Sequence, residues 1–73
     1  MALQVSGERE LGQFQVPGGA IVVRLAILNG KSRVDIRRYF SNDDVELAPT
    51  HKGINLSPSQ VIKLVEILKE VKE

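Results

Sequence analysis

The sequence predicts an α+β fold in one small domain: short strands set off by turn residues, then a single amphipathic helix at the C-terminal end. Three observations carry this. Residues 20–28 alternate with a period of two, Asn29-Gly30 is the dipeptide favoured in two-residue hairpin turns, and Ser57-Pro58-Ser59-Gln60 is a helix-start signature ahead of an apolar run. At 73 residues and 42% hydrophobic content, the chain is too short for two domains and too apolar for a disordered tail.

The elements follow in order. Residues 1–12 carry Glu8 and Glu10 without apolar periodicity, so they are expected to be a loosely held N-terminal tail, with the domain over 13–73. They also lack the basic start and apolar stretch of a signal peptide. A short strand is predicted around Gln13 to Val16, and Pro17-Gly18-Gly19 ends it, since proline fixes φ and glycine tolerates positive φ. In the next strand Ile21, Val23, Leu25 and Ile27 make a core face, and Val22, Arg24, Ala26 and Leu28 a mixed face open to solvent or a partner. This stretch, broken by Arg24, is less than half of a membrane span, and no membrane partner is expected. After the Asn29-Gly30 turn a strand runs from Lys31 to about Phe40, with Val34 and Ile36 inward and Arg33, Asp35 and Arg37 opposite. Ser41 to Asp44 is a turn, Val45 to Ala48 a short fourth strand, and Pro49 to Gly53 a loop leading into Ile54 to Leu56.

Ser57 is the expected N-cap, Pro58 the first helical residue, and Gln60 the partner that completes the capping box. Val61, Leu64, Val65 and Leu68 form the stripe a helix needs to cover one surface, and Ile62 and Ile67 widen it. The excess width asks for a second partner. A chain this small, with no cysteine for a disulfide or Cys-based zinc site, leaves a second copy as its natural staple. A homodimer packed through Val61, Ile62, Leu64, Val65 and Leu68 is therefore expected.

The net charge of +1 gives no bulk argument for nucleic acid. Its distribution does. Residues 29–40 carry +3, from Lys31, Arg33, Arg37 and Arg38 against Asp35, and residues 41–50 carry −3, from Asp43, Asp44 and Glu46. Tyr39 and Phe40, two of the three aromatic residues, adjoin the basic hairpin. Cations that track phosphates beside rings that stack on bases are the ingredients of a single-strand binding surface. A solvated strand whose arginines pair with the acidic turn is the competing reading.

Other chemistry finds little support. Gly30-Lys31-Ser32 looks like the end of a phosphate-binding loop, but Leu25 stands where the first glycine belongs and a strand follows where a helix is needed. No cysteine or second histidine builds a nucleophile and base, and His51 has no partners at metal-ligand spacing. The chain is not expected to be an enzyme or to carry a cofactor or metal.

Gly30-Lys31, then Val34-Asp35-Ile36-Arg37-Arg38-Tyr39-Phe40, then Lys52-Gly53-Ile54-Asn55-Leu56-Ser57 stand in the order and spacing of the transcriptional coactivator positive cofactor four (p15) domain. With Phe14-Gln15-Val16, which is similar to that family's first strand, the resemblance covers about residues 14–73. It implies a curved four-stranded antiparallel sheet and one helix, dimerised through the helices, binding single-stranded DNA with little sequence preference in support of transcription or repair. By position it implies that Lys31, Arg37 and Lys52 contact phosphates and Phe40 stacks on a base; Arg24, Arg33 and Arg38 are this chain's own cations, expected to compensate where it departs from the family. The chain departs from the family at Leu28, where a stacking phenylalanine is usual, at Ala26, where arginine is, and at Asn29, where lysine is common. Strict alternation also sets Phe40 on the Val34 and Ile36 face, so only a bulge or the strand's end brings it beside Arg37.

The expected function is thus sequence-tolerant single-stranded DNA binding by a homodimeric transcription cofactor. A dimeric protein-interaction module with a decayed nucleic-acid surface and an RNA-binding protein are the alternatives, and the transcription machinery is a candidate partner. The expected location is the cytoplasm, associated with the nucleoid, in a prokaryote, or the nucleus in a eukaryote.

Overall fold

A computed structural model describes residues 5–44 and 46–72, with side chains from residue 7 onward. Four strands, β1 (Val5–Val16), β2 (Gly19–Leu28), β3 (Lys31–Phe40) and β4 (Ala48–Leu56), precede one helix, α1 (Pro58–Leu68). The strands form an open antiparallel sheet in the order β1-β2-β3-β4. The α+β expectation holds, with strands in sequence order, β1–β2 and β2–β3 joined by two-residue turns and β3–β4 by the longer segment 41–47. Asn29 and Gly30 both adopt positive φ, 52° and 78°, as the hairpin turn demands. Gly19 is required for a different reason, because a Cβ there would lie 1.9 Å from the Tyr39 carbonyl oxygen.

Two strands differ from the sequence expectation. Residues 5–12, expected as a tail, continue β1 and pair with β2 from Val5 opposite Leu28 to Val16 opposite Gly19, with register shifts between Val5 and Gly7 and between Glu10 and Gly12. Their lack of apolar alternation reflects their place at the sheet edge, where charged residues such as Glu8, Arg9 and Glu10 discourage pairing with other chains. Residues 1–4 lie outside the described residues. At the other edge, the predicted loop of 49–53 and the strand 54–56 are one element, β4. Pro49 is tolerated because an edge strand can forgo an N–H, and the register with β3 slips between Arg37 and Tyr39 to leave Thr50, His51 and Lys52 bulged opposite Arg38. Of the predicted short strand, Ala48 belongs to β4, Glu46 and Leu47 lie outside any strand, and Val45 lies outside the described residues. The Ser41 to Asp44 turn is closed by the Asn42 side chain, whose Oδ1 accepts from the Asp44 N–H at 2.8 Å.

The register defines two faces. Val23, Leu25 and Ile27 of β2 share one with Val34 and Ile36 of β3 and Ile54 and Leu56 of β4, and α1 docks on this side against β3 and β4. Among the described residues the most buried side chains, however, lie mainly on the opposite face: Ala20, Val22 and Ala26, with only Val34 buried on the helix side. These are small residues in a strand with neighbours on both sides, flanked in the register by Gln13, Gln15 and Glu8 on β1 and by Arg33, Arg37 and Tyr39 on β3. The helix is too short to cover its own side, which leaves Ile27 and Ile54 exposed and buries no helix residue. The cap is built as the sequence predicts, with Gln60 N–H donating to Ser57 Oγ and Ser57 N–H to Gln60 Oε1 at 2.9 Å. Val71 lies beyond the helix, which ends at Leu68.

Candidate nucleic-acid interface

Alternation along β3 puts Lys31, Arg33, Asp35, Arg37 and Tyr39 on one face, spaced about 6.7 Å apart by two strand rises. This is the face away from the helix. Across the ladder from them stand Leu28, Ala26, Arg24, Val22 and Ala20 of β2. Between β1 and β4 this face forms an open groove of about 390 Å³, lined among others by Arg24, Ala26, Asp35, Arg37, Tyr39 and Asn55. A second hollow of about 500 Å³, lined by Gln13, Gln15, Ala20, Ser41 and Leu47, continues the same side toward the β3–β4 loop.

Arg37 is the most tightly held cation. Its Nε and Nη2 donate to the two carboxylate oxygens of Asp35 at 3.0 and 2.9 Å, and its Nη1 donates to the Thr50 carbonyl at 2.9 Å. A fork-to-fork pair of this kind fixes the plane of the guanidinium as well as its position. The hydrogen bond to Asp35 raises the Arg37 pKa above its already high ordinary value, outweighing the opposing effect of partial burial. The β4 bulge serves this arrangement. Thr50 Oγ1 donates to the Arg38 carbonyl at 2.6 Å and accepts from the Lys52 N–H at 3.1 Å, which turns the Thr50 carbonyl toward Arg37. Gly53 lies opposite Arg37 because a Cβ there would come within 3.0 Å of the Arg37 Cα.

The other expected contact residues are distributed unevenly. Arg33 donates from Nε to Asn55 Oδ1 at 2.7 Å, and Arg24 pairs with Glu8 at 3.4 Å. Lys31 stands exposed at the start of β3, and Lys52 is exposed in the bulge; among the described residues no carboxylate pairs with either. The structure thus brings Lys31, Arg33, Arg37 and Arg24 to one face. Glu8, Glu10 and Asp35 share it, so four cations meet three carboxylates.

Phe40 is not brought into this group. The β2–β3 register runs without a shift through Gly19 and Phe40, so Phe40 lies on the side of Ile36 and Arg38. The bulge that could have moved it is on β4 instead. Arg38, on that same side, donates to the Pro17 carbonyl and ties the β1–β2 turn to β3. Three residues of the site escaped sequence reasoning, Asn55, Thr50 and Glu8, while Tyr39, noted there with Phe40 as a ring beside the basic hairpin, was not assigned to the site. The β3 alternation that singled out Arg33 and Arg37 also carries Tyr39, so that signal was present; the roles of Thr50, Asn55 and Glu8 depend on the strand register.

A family model described as Transcriptional Coactivator p15 (PC4) matches residues 18–67 of the chain. The match takes in β2, β3, β4 and all but the last residue of α1, and therefore most of the groove.

Proposed function

The chain belongs to the transcriptional coactivator p15 (PC4) family, whose function is single-stranded DNA binding of the coactivator type, and on that premise we propose that it acts as a homodimer that holds unpaired DNA along the sheet face opposite the helix. The observation that carries this reading is the row of Lys31, Arg33 and Arg37 on one face of β3 with Arg24 beside it. An extended strand lying along β3 meets Lys31, Arg33 and Arg37, with Asp35 between the last two and Arg24 across the ladder from it. Lys52 approaches from the bulge next to Thr50, which anchors Arg37. Because each phosphate contact displaces condensed counterions, binding weakens with salt, by about 0.7 in the log–log slope per contact for a single strand. Contact through backbone and stacking reads no base edges, so sequence preference is low.

A homodimer is supported by α1, where Ile62, Val65, Ile67 and Leu68 are all exposed in the single chain. Covering them with the same helix of a second copy places two grooves in one particle and brings in Val61 and Leu64 at the seam. No helix among the described residues is long and apolar enough to cross a membrane. The cellular setting that fits is the nucleoid of a prokaryote or the nucleus of a eukaryote, where transcription exposes single strands.

Fluorescence anisotropy of a labelled oligonucleotide of about 20 nucleotides, compared with the matching duplex at low salt, tests the reading. Tighter binding of the single strand, weakened by Arg37→Ala with Lys52→Ala, is the expected result. Equal binding to both, or none, overturns it. An RNA oligonucleotide in the same assay decides whether DNA is the preferred strand.

A further inference from the structure

We infer that Tyr39 is the nucleobase-stacking platform of the groove, so that one base lies against its ring while the adjoining phosphate meets Arg37; this rests on the single-stranded DNA reading above. The chain holds three aromatic residues, Phe14, Tyr39 and Phe40. The register sends Phe40 to the helix side with Ile36, and Phe14, opposite Ile21, also falls on that side. Tyr39 alone shares the face of Arg37, Arg33 and Arg24, and it lines the groove with Arg37 and Arg24. A ring serves as a platform only where it is held and where one side of it remains open. Tyr39 is half-buried, and its cross-strand neighbours are Ala20 on β2 and Pro49 on β4, neither long enough to fold over the ring. Arg37 stands one strand repeat away on the same face with its plane fixed by Asp35. The two supply the two components of single-strand recognition, a ring for the base and a guanidinium for the phosphate, at one end of the groove. Leu28, which lines the same groove further along, offers an apolar contact in place of a second ring.

The composition supplies the probe. Tyr39 is the one tyrosine of a chain without tryptophan, so the emission of the unmodified protein reports its ring. Titration with an unlabelled oligonucleotide of deoxythymidine is expected to quench that emission with the same midpoint that anisotropy of the labelled oligonucleotide gives. An oligonucleotide of abasic sites is expected to bind without quenching. Tyr39→Phe should keep the affinity, Tyr39→Leu should lose about 5- to 150-fold, the loss of one stacked base, and Phe40→Leu should leave it unchanged. Far-ultraviolet circular dichroism of each variant checks its fold, and the emission titration of the unmodified protein stands regardless of how the variants fold. Binding seen by anisotropy with unchanged emission, or a loss on Phe40→Leu with none on Tyr39→Leu, overturns the inference while leaving the DNA-binding reading in place. Absence of binding by anisotropy overturns both.

Discussion

On the proposed reading Arg37 would bind a phosphate through directed donors more than through net charge, because Asp35 neutralises it at 2.9 Å while holding its plane. Three of its five N–H groups are spent on Asp35 and Thr50, and two remain for a phosphate. Lysine at this position keeps the charge and loses the fork, so Arg37→Lys is expected to weaken single-strand binding and to lower stability by roughly 1–3 kcal/mol, measured by anisotropy and urea denaturation. The pH dependence follows from the sign of the shift. The pKa is raised in the folded state, so the stability it contributes is complete below the ordinary arginine value and is lost only as pH rises beyond it. Titration of Arg37 therefore contributes no pH dependence to DNA affinity between pH 6 and 9; a change traced to Arg37 by comparison with Arg37→Ala contradicts this assignment. Gly53→Ala is expected to loosen the same site from behind, since its Cβ would press on the Ile36 carbonyl at 2.8 Å and the Arg37 Cα at 3.0 Å. At this scale the sequence revealed which cations stand in the basic hairpin. It did not reveal that Arg24, Arg33 and Arg37 are each already bonded to Glu8, Asn55 and Asp35, because two of those three partners arrive from other strands.

Elements were legible in proportion to how locally they are determined. The start of α1 is written within four residues, and both reciprocal bonds of the capping box form. Ser57→Ala removes one of them and should cost about 1 kcal/mol in thermal or urea unfolding, with no effect on DNA affinity beyond that of stability. The β2–β3 hairpin was equally legible, since Asn29-Gly30 fixes both turn and register. The edges were not. The first half of β1 is polar on both faces because it borders solvent, so it carries no period-two signal. Pro49 and the glycine at 53 are loop punctuation in most contexts, and only the pairing of Ile54 with Ile36 and Leu56 with Val34 shows that they stand inside β4. Phe40 fell between these cases: alternation already placed it on the helix side, and the family resemblance pointed to the groove. The continuous β2–β3 register sides with alternation.

The single chain is a slab of 38 × 37 × 18 Å with a radius of gyration of 13.8 Å, against about 11 Å for a self-contained domain of this length. Its accessible surface of 5944 Å² likewise exceeds the roughly 4,500 Å² of a monomeric protein of this mass. The excess is larger than the roughly 800 Å² that one partner contributes to an interface of standard size. With Ile62, Ile67 and Leu68 exposed, a second copy along α1 is the economical way to bury it. Sedimentation equilibrium should return twice the chain mass, and Ile62→Glu with Val65→Glu should shift it toward the single-chain value and lower the melting temperature. The groove lies on the far side of the sheet from α1, so a dimer formed along the helix and DNA held in the groove would use different faces. Methyl chemical-shift mapping with an oligonucleotide of deoxythymidine tests this central claim most directly. The account predicts that Ala26, Leu28 and Val22 methyls, on the groove face, move on binding while those of Ile54, Leu64 and Ile67, around the hollow between β4 and α1, stay in place. Shifts confined to that hollow, or none at saturating oligonucleotide, would contradict it.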